Sequence, residues 1–487
     1  MSLAHRTVRN TTMLFVARTG ARLLVFGSFL IQQHSLGAFR YGEFGVVVVL
    51  SNLSSIVGDG GLQIVYLREG SRDRKRLEPY LAAILGAKVP LLLGSLVTLA
   101  VMASFTSHPS VLFLLGPAFA LLVATSVANV LRSTFYATGE MRYEAIETIC
   151  EGAILLGGTA LASFAHLGLP AYLWAYGASY LFTCLFAVWI ISRRYFRPHI
   201  AIDPQLVRRL MRMGLPFALV FFLNTVYFKI DVLILTALRG DTQVGYYQAG
   251  YKFLEGLSFI PQTVMNAVFP ALSVLHLGGV DSMRRAYTVT LRLLTAVAMP
   301  LAVALAFGAF PLVNLLRIYP QSGPAVRILA LALVFLFVNN TFVFGLGAMD
   351  RQRDSIVLSI MSIAVNVALN FILIPLFPRA TGYLASSWAT VITEVFLLVA
   401  GYLMVRRQLG SLPWARALVP TLVSGGLMVG IMGVLSNQNV FWVAPLAGIC
   451  YLASLWLTGG VTPQELRMAR SSLGRRLAPE EEGPGDG

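Results

Sequence analysis

Apolar runs of about twenty residues recur along nearly the whole chain, parted by short hydrophilic loops, and this pattern decides what the chain can fold into. Twenty helical residues rising about 1.5 Å each cover roughly 30 Å, the thickness of a bilayer's hydrocarbon core. The strands of a membrane barrel would alternate polar and apolar residues, and these runs do not. Only 12% of the residues are charged and 57% are hydrophobic, whereas soluble domains carry about 25% charged residues. The expectation is an all-α membrane protein of about fourteen transmembrane helices, at 11–32, 43–67, 80–104, 110–137, 145–165, 169–192, 213–238, 243–272, 287–312, 325–348, 355–377, 381–405, 415–435 and 439–458.

The loops test that count. Those on the side of the N-terminus hold dense basic clusters, among them Arg68, Arg72, Arg74, Lys75 and Arg76, then Arg132 and Arg142, then Arg193 to Arg212, and Arg406, Arg407 and Arg416. The opposite loops hold only Arg40, Arg239, Arg317 and Arg379. Positively charged loops stay cytoplasmic, so the alternation predicts an even number of spans in the inner (plasma) membrane with both termini cytoplasmic. A missed or invented helix would invert the pattern downstream. The same distribution accounts for the net charge of +15 without nucleic acid, since the basic residues lack interleaved aromatics.

Other classes of chemistry leave no trace in the chain. Cys150, Cys184 and Cys450 fall inside apolar segments and read as buried thiols, with neither a disulfide framework nor a metal spacing. The six histidines are scattered, no nucleophile motif or glycine-rich phosphate loop occurs, and the first apolar run carries Arg18 and Arg22, unlike a cleavable signal peptide. No metal and no cofactor are expected. The tail beyond residue 462, ending PEEEGPGDG, reads as a short cytoplasmic helix that frays.

The chain also repeats weakly. YGEF at Tyr41–Phe44 opens the second span, and VGYYQAGYK at Val244–Lys252 opens the eighth, about 203 residues later. FYATGEMRY at Phe135–Tyr143 and FGLGAMDRQR at Phe344–Arg353 follow the fourth span of each half. An even number of spans separates the copies, so the repeat is parallel, with an axis along the membrane normal. The predicted organisation is an N-terminal lobe at 1–192, a cytoplasmic linker at 193–212, a C-terminal lobe at 213–405, two further helices at 406–461 and a tail at 462–487.

These residues resemble a known family. LGAFRYGEFGVVVVLSNLSSIVGDGGL, from Leu36 to Leu62, is similar to the opening of the oligosaccharide flippases and polysaccharide transporters of the multidrug/oligosaccharidyl-lipid/polysaccharide exporter superfamily. IDVLIL at Ile230–Leu235 and FPALS at Phe269–Ser273 match the second half of the pattern, while TGE at Thr138–Glu140 departs from it with an acid where relatives carry a base. The resemblance implies two six-helix lobes in a V-shaped arrangement plus two C-terminal helices, working as a monomer in contact with membrane lipids. It also implies a lipid-linked oligosaccharide as substrate, with a polysaccharide polymerase and glycosyltransferases as partners.

Ionisable groups within spans cost about 2.5–3.5 kcal/mol each near the bilayer centre, so they face a cavity or one another. The cations are Arg18, Arg22, Lys88, Lys229, Lys252 and Arg292, present in both lobes and suited to a carrier's pyrophosphate: arginine through bidentate hydrogen bonds, lysine as a point charge. Snorkelling to the interface is the bland account of Arg18. The carboxylates Asp59, Glu147, Glu151, Asp231, Glu255 and Glu394 are candidates for ion pairing or for coupling to a proton or sodium gradient. Glu255, three residues from Lys252, reads as a structural pair. Glu394 stands far in sequence from any cation and reads either as a coupling group or as a partner of Asn366 or Asn370. A cation-coupled multidrug exporter and a lipid II flippase stay open as alternatives. A membrane glycosyltransferase is disfavoured, because the predicted external loops are too short to carry catalytic carboxylates.

Overall fold

The computed structural model describes residues 3–104 and 113–460. The tail and the loop at 105–112, which holds His108, lie outside the described residues. Among the described residues the chain is helical with no strand: α1 (Leu3–Asp59), α2 (Leu62–Arg72), α3 (Leu77–Ser104), α4 (Leu115–Thr138), α5 (Met141–Phe164), α6 (Leu169–Arg194), α7 (Pro204–Arg239), α8 (Asp241–Leu257), α9 (Phe259–Leu277), α10 (Val280–Leu315), α11 (Ser322–Ala348), α12 (Gln352–Leu376), α13 (Gly382–Leu409), α14 (Trp414–Val434) and α15 (Val440–Leu457).

At 57 residues, a straight α1 would be about 85 Å long, more than twice a bilayer's hydrocarbon core. It folds back instead. Gly37 leaves the helical region with φ 70° and ψ 168°, a conformation open to a residue without Cβ. The fold-back brings the Phe29 and Tyr41 rings to 5.9 Å, where a straight helix would hold them about 18 Å apart. The second arm continues into α2 across Gly60 and Gly61, both left-handed. A second interrupted span forms from α8 and α9, parted at Ser258. Pro261, in the first turn of α9, has no N–H to donate to the carbonyl of Leu257 and crowds it. Among the described residues, eleven helical segments are long and apolar enough to cross a membrane. Dividing α1 at Gly37, joining α8 to α9 and adding the shorter apolar α14 brings the crossings to fourteen.

Helices α1–α6 pack into one bundle and α7–α13 into a second, while α14 and α15 pack on each other and on α10. Tyr451 of α15 is fully buried and donates its hydroxyl to the Ala296 carbonyl at 2.8 Å. Lipid tails are as apolar as leucine, so close backbone approach at small residues does much of the work of holding such helices together. Between the bundles, residues 195–203 are non-helical, and α7 begins at Pro204, capped by the Asp203 carboxylate, which accepts from the backbone N–H groups of Gln205 and Leu206. The non-helical segment lies against α3, where Ala201 donates to the Ala82 carbonyl at 3.1 Å. A Cβ on Gly86 would stand 2.2 Å from the Ala201 carbonyl oxygen.

The bundles meet through α1 and α2 on one side and α7 and α8 on the other. At the Gly37 end a Cβ on Gly42 would lie 1.9 Å from the Asp241 carbonyl oxygen, and one on Gly245 would lie 2.0 Å from that of Ala38. The two contacts exchange under a shift of about 203 residues, which maps Gly42 onto Gly245 and Ala38 onto Asp241. That reciprocity is the signature of a two-fold axis between repeats, so the repeat read from YGEF and VGYY is a spatial one. At the opposite end Gly61 and Gly214 make a comparable approach, a Cβ on Gly61 falling 2.2 Å from the Gly214 carbonyl oxygen.

Candidate functional site

Between these two glycine contacts the bundles enclose a chamber of about 430 Å³. Asn52, Ser55 and Asp59 of α1 line one wall, and Lys229 of α7 with Tyr251 and Glu255 of α8 the other. Lys229 Nζ stands 3.4 Å from one Glu255 oxygen, and Lys252 Nζ stands 2.7 Å from the other. Lysine and carboxylate three residues apart share a helix face, and the neighbouring α7 delivers the second ammonium on the same wall. Two cations thus share one carboxylate, and an incoming dianion could take over either. Arg22 sits at the edge of this group with its guanidinium 4.3 Å over the Phe259 ring. Among the described residues Arg22 has no ion pair, so its fork of N–H donors is available to a ligand.

Other candidates are already committed. Lys88 is buried in the N-terminal bundle, donating to Asp59 at 2.8 Å, to the Gly58 carbonyl at 3.0 Å and to Ser126. Its ammonium therefore fixes the Asp59 wall from behind. Arg18 pairs with Glu144 at 3.1 Å and donates to the Tyr136 hydroxyl. Glu147 and Glu151, candidates for ion pairing, both bind Arg132, and Thr183 donates to Glu151 at 2.8 Å. Arg132 itself is no loop residue. It lies within α4 and is largely buried, because one carboxylate alone would not satisfy its planar fork and α5 offers two. Arg292 is half-buried on α10 and is not among the residues lining the chamber.

Two carboxyls lie deep in the C-terminal bundle. Asp231 accepts from the Tyr247 hydroxyl and from the Val232 backbone at 2.8 Å. Glu394 accepts from Tyr227 of α7 at 2.5 Å and from Asn339 of α11 at 2.6 Å. Asn366 donates to Thr393 at 3.4 Å and Asn370 donates back to Asn366, so the partner of Glu394 is Asn339 rather than either of these. Both carboxyls line a small gap together with Thr390 and Thr393. The cysteines are half-buried and free, Cys184 resting against the Ala124 carbonyl.

Sequence reasoning overlooked the amides. Asn52, Gln63, Asn129, Asn224 and Gln262 all line the chamber, and their side chains have no partner among the described residues. The signal was present: a carboxamide on a lipid-facing surface would leave polar groups unsatisfied, so Asn or Gln inside an apolar run points to a wet surface.

The description "Polysaccharide biosynthesis protein" belongs to the family profile that matches residues 7–276, and a MatE profile matches residues 216–372. The "Probable multidrug resistance protein NorM" of Chromobacterium violaceum is 30% identical over 151 residues, covering 30% of this chain and 31% of that protein. The "Probable flippase AglR" of Haloferax volcanii is 23% identical over 222 residues, covering 44% of this chain and 45% of the relative. The chain thus spans less than half the length of these curated relatives. Among solved structures, "Lipid II flippase MurJ, inward closed conformation" superposes with a TM-score of 0.70 at 13% identity, over 96% of this chain and all of that one. An inward-facing multidrug resistance MATE family transporter of the MOP superfamily superposes with a TM-score of 0.62 at 14% identity, over 80% of this chain and 95% of that one. With a family match over more than half its length and this fold, the chain is a multi-pass membrane protein that belongs to the polysaccharide biosynthesis protein family.

Proposed function

We propose that this protein is a flippase that carries a polyprenyl-pyrophosphate-linked oligosaccharide from the cytoplasmic to the outer leaflet of the plasma membrane, for cell-surface polysaccharide assembly. The observation that carries the reading is the chamber between the lobes, lined by Lys229 and Glu255, with Lys252 on the second oxygen of that carboxylate and Arg22, over the Phe259 ring just outside the lining, without an ion pair. A pyrophosphate entering there would displace Glu255 from one ammonium and take the Arg22 fork, exchanging one ion pair for another rather than desolvating a bare charge. The lobes, 1–192 and 213–405, then rock about the bound headgroup, the Gly61 end parting to admit it from the cytoplasmic side and the Gly37 end parting to release it on the other. Transport, not bond-breaking chemistry, is what such a chamber serves, and the chain acts as a monomer supplied by glycosyltransferases and drained by a polymerase.

Asp231 and Glu394 are the groups we assign to coupling with a proton or sodium gradient. The same carboxyls, with the MatE and NorM likenesses, favour the second reading, a cation-coupled drug exporter. Complementation separates the two. Expressed in a strain lacking its oligosaccharide flippase, the protein should restore surface polysaccharide, Arg22→Ala should not at equal abundance, and Arg22→Lys should restore part. Resistance to cationic drugs without restored polysaccharide would decide for the exporter.

A further inference from the structure

Behind α7, on the side away from the N-terminal lobe, lies a second chamber of about 580 Å³. It meets the first at Asn224, Phe228, Ser258, Gln262 and Leu336, each of which lines both. Its lining holds no lysine or arginine, and its one carboxyl, Glu394, is held by Tyr227 and Asn339. What it offers instead is carboxamides. Gln262 and Asn266 stand one turn apart on α9, with Asn224 opposite on α7, and none of the three has a side-chain partner among the described residues. Asn340 donates to the Leu336 carbonyl of its own helix at 2.8 Å. The Phe228 and Phe344 side chains add apolar surface. We propose that this chamber is the saccharide subsite: it takes the uncharged, hydroxyl-rich sugars of the substrate while the pyrophosphate stays in the first chamber.

The argument is one of chemical matching. Each free carboxamide presents two donors and an acceptor, the complement of neighbouring sugar hydroxyls, and a site built to hydrogen-bond hydroxyls loses those bonds to a ligand that lacks them. A cationic drug would find no acid there free of partners, and an acyl chain would offer the amides no hydrogen-bond partner. The volume falls within the roughly 300–1,000 Å³ typical of ligand chambers. The inference rests on the flippase reading and adds to it that affinity grows with the number of sugars.

The test uses full-length protein in nanodiscs and two probes, a polyprenyl pyrophosphate bearing one N-acetylhexosamine and the same carrier bearing a tetrasaccharide. The wild type should bind the tetrasaccharide probe at least tenfold more tightly. Asn266→Leu and Asn340→Leu, at positions that line the second chamber and not the first, should remove most of that difference while leaving the one-sugar Kd unchanged, which also reports that the variants are folded; Asn266→Gln should keep part of it. Lys229→Ala should weaken both probes alike. Equal wild-type affinities for the two probes, or leucine variants that retain the difference, would overturn the subsite and leave the flippase reading standing. Failure of the wild type to bind either probe would sink that reading and the subsite with it.

Discussion

Adding one methyl group at the glycine contact between the lobes should part them at the Gly37 end. In Gly245→Ala the new Cβ would fall 2.0 Å from the Ala38 carbonyl oxygen and 2.8 Å from its carbon. Both are backbone atoms, so no side chain can swing aside. Reaching ordinary contact near 3.4 Å requires the two helices to part by about 1.4 Å, or to strain by the equivalent. Overpacking of this kind costs about 1–3 kcal/mol, and only the closed arrangement meets it, so the ratio of open to closed should rise about 5- to 150-fold. Gly42→Ala should match it, because its Cβ meets the Asp241 carbonyl oxygen at 1.9 Å from the other side of the axis. Gln248 supplies the reporter, since its amide packs on Gly45 in the closed contact. With Cys150, Cys184 and Cys450 replaced by serine, Gln248→Cys should react with an impermeant maleimide faster by that factor when either alanine is present. Gly20→Ala, whose Cβ meets nothing within 4 Å, should leave the rate unchanged. Equal rates for all three variants would refute the assignment of this contact as the closed gate.

Other perturbations test the remaining parts. Arg132→Ala leaves Glu147 fully buried and Glu151 nearly so without their shared cation; losing one partner of such a group costs about 3–5 kcal/mol, so the variant should melt earlier in detergent and accumulate poorly. Glu394→Gln keeps the shape and the Asn339 neighbour but cannot ionise, so transport by the variant should no longer respond to an imposed pH or sodium gradient; an unaltered response removes Glu394 from coupling. In intact cells, cysteines placed in the Arg68–Arg76 segment, the end of α2 and the turn after it, should resist an impermeant maleimide and one at Asn437 should react, the reverse of which would invert the topology.

The span pattern was legible because the bilayer imposes it locally: run length and the basic residues of the loops are one-dimensional quantities. The turn at Gly37 falls in the gap expected between the spans 11–32 and 43–67, whereas the break at Ser258 hid inside the span expected at 243–272, since both of its halves are apolar. The charge partners were not legible for a different reason. Which acid meets which base depends on the rotation of each helix about its axis, so Glu147 and Glu151 found Arg132 rather than Arg18 or Arg22, and Lys88 turned inward onto Asp59. Only the Lys252–Glu255 pair, set by helical spacing alone, could be read directly. Arg132 was misplaced because it sits under two turns from the end of α4, where the residue count cannot tell a last turn from a loop.

The central claim is that the cations of the inter-lobe chamber carry a pyrophosphate headgroup across the bilayer. It is tested most directly in proteoliposomes, by following a fluorescent polyprenyl-pyrophosphate saccharide as it becomes reachable by an enzyme on the far side. The wild type should move the probe, while Arg22→Ala and Lys229→Ala, reconstituted at equal amounts, should each slow it at least tenfold, and Arg22→Lys should fall between. Unchanged rates in both alanine variants, or no movement by the wild type under any ion gradient, would contradict the account.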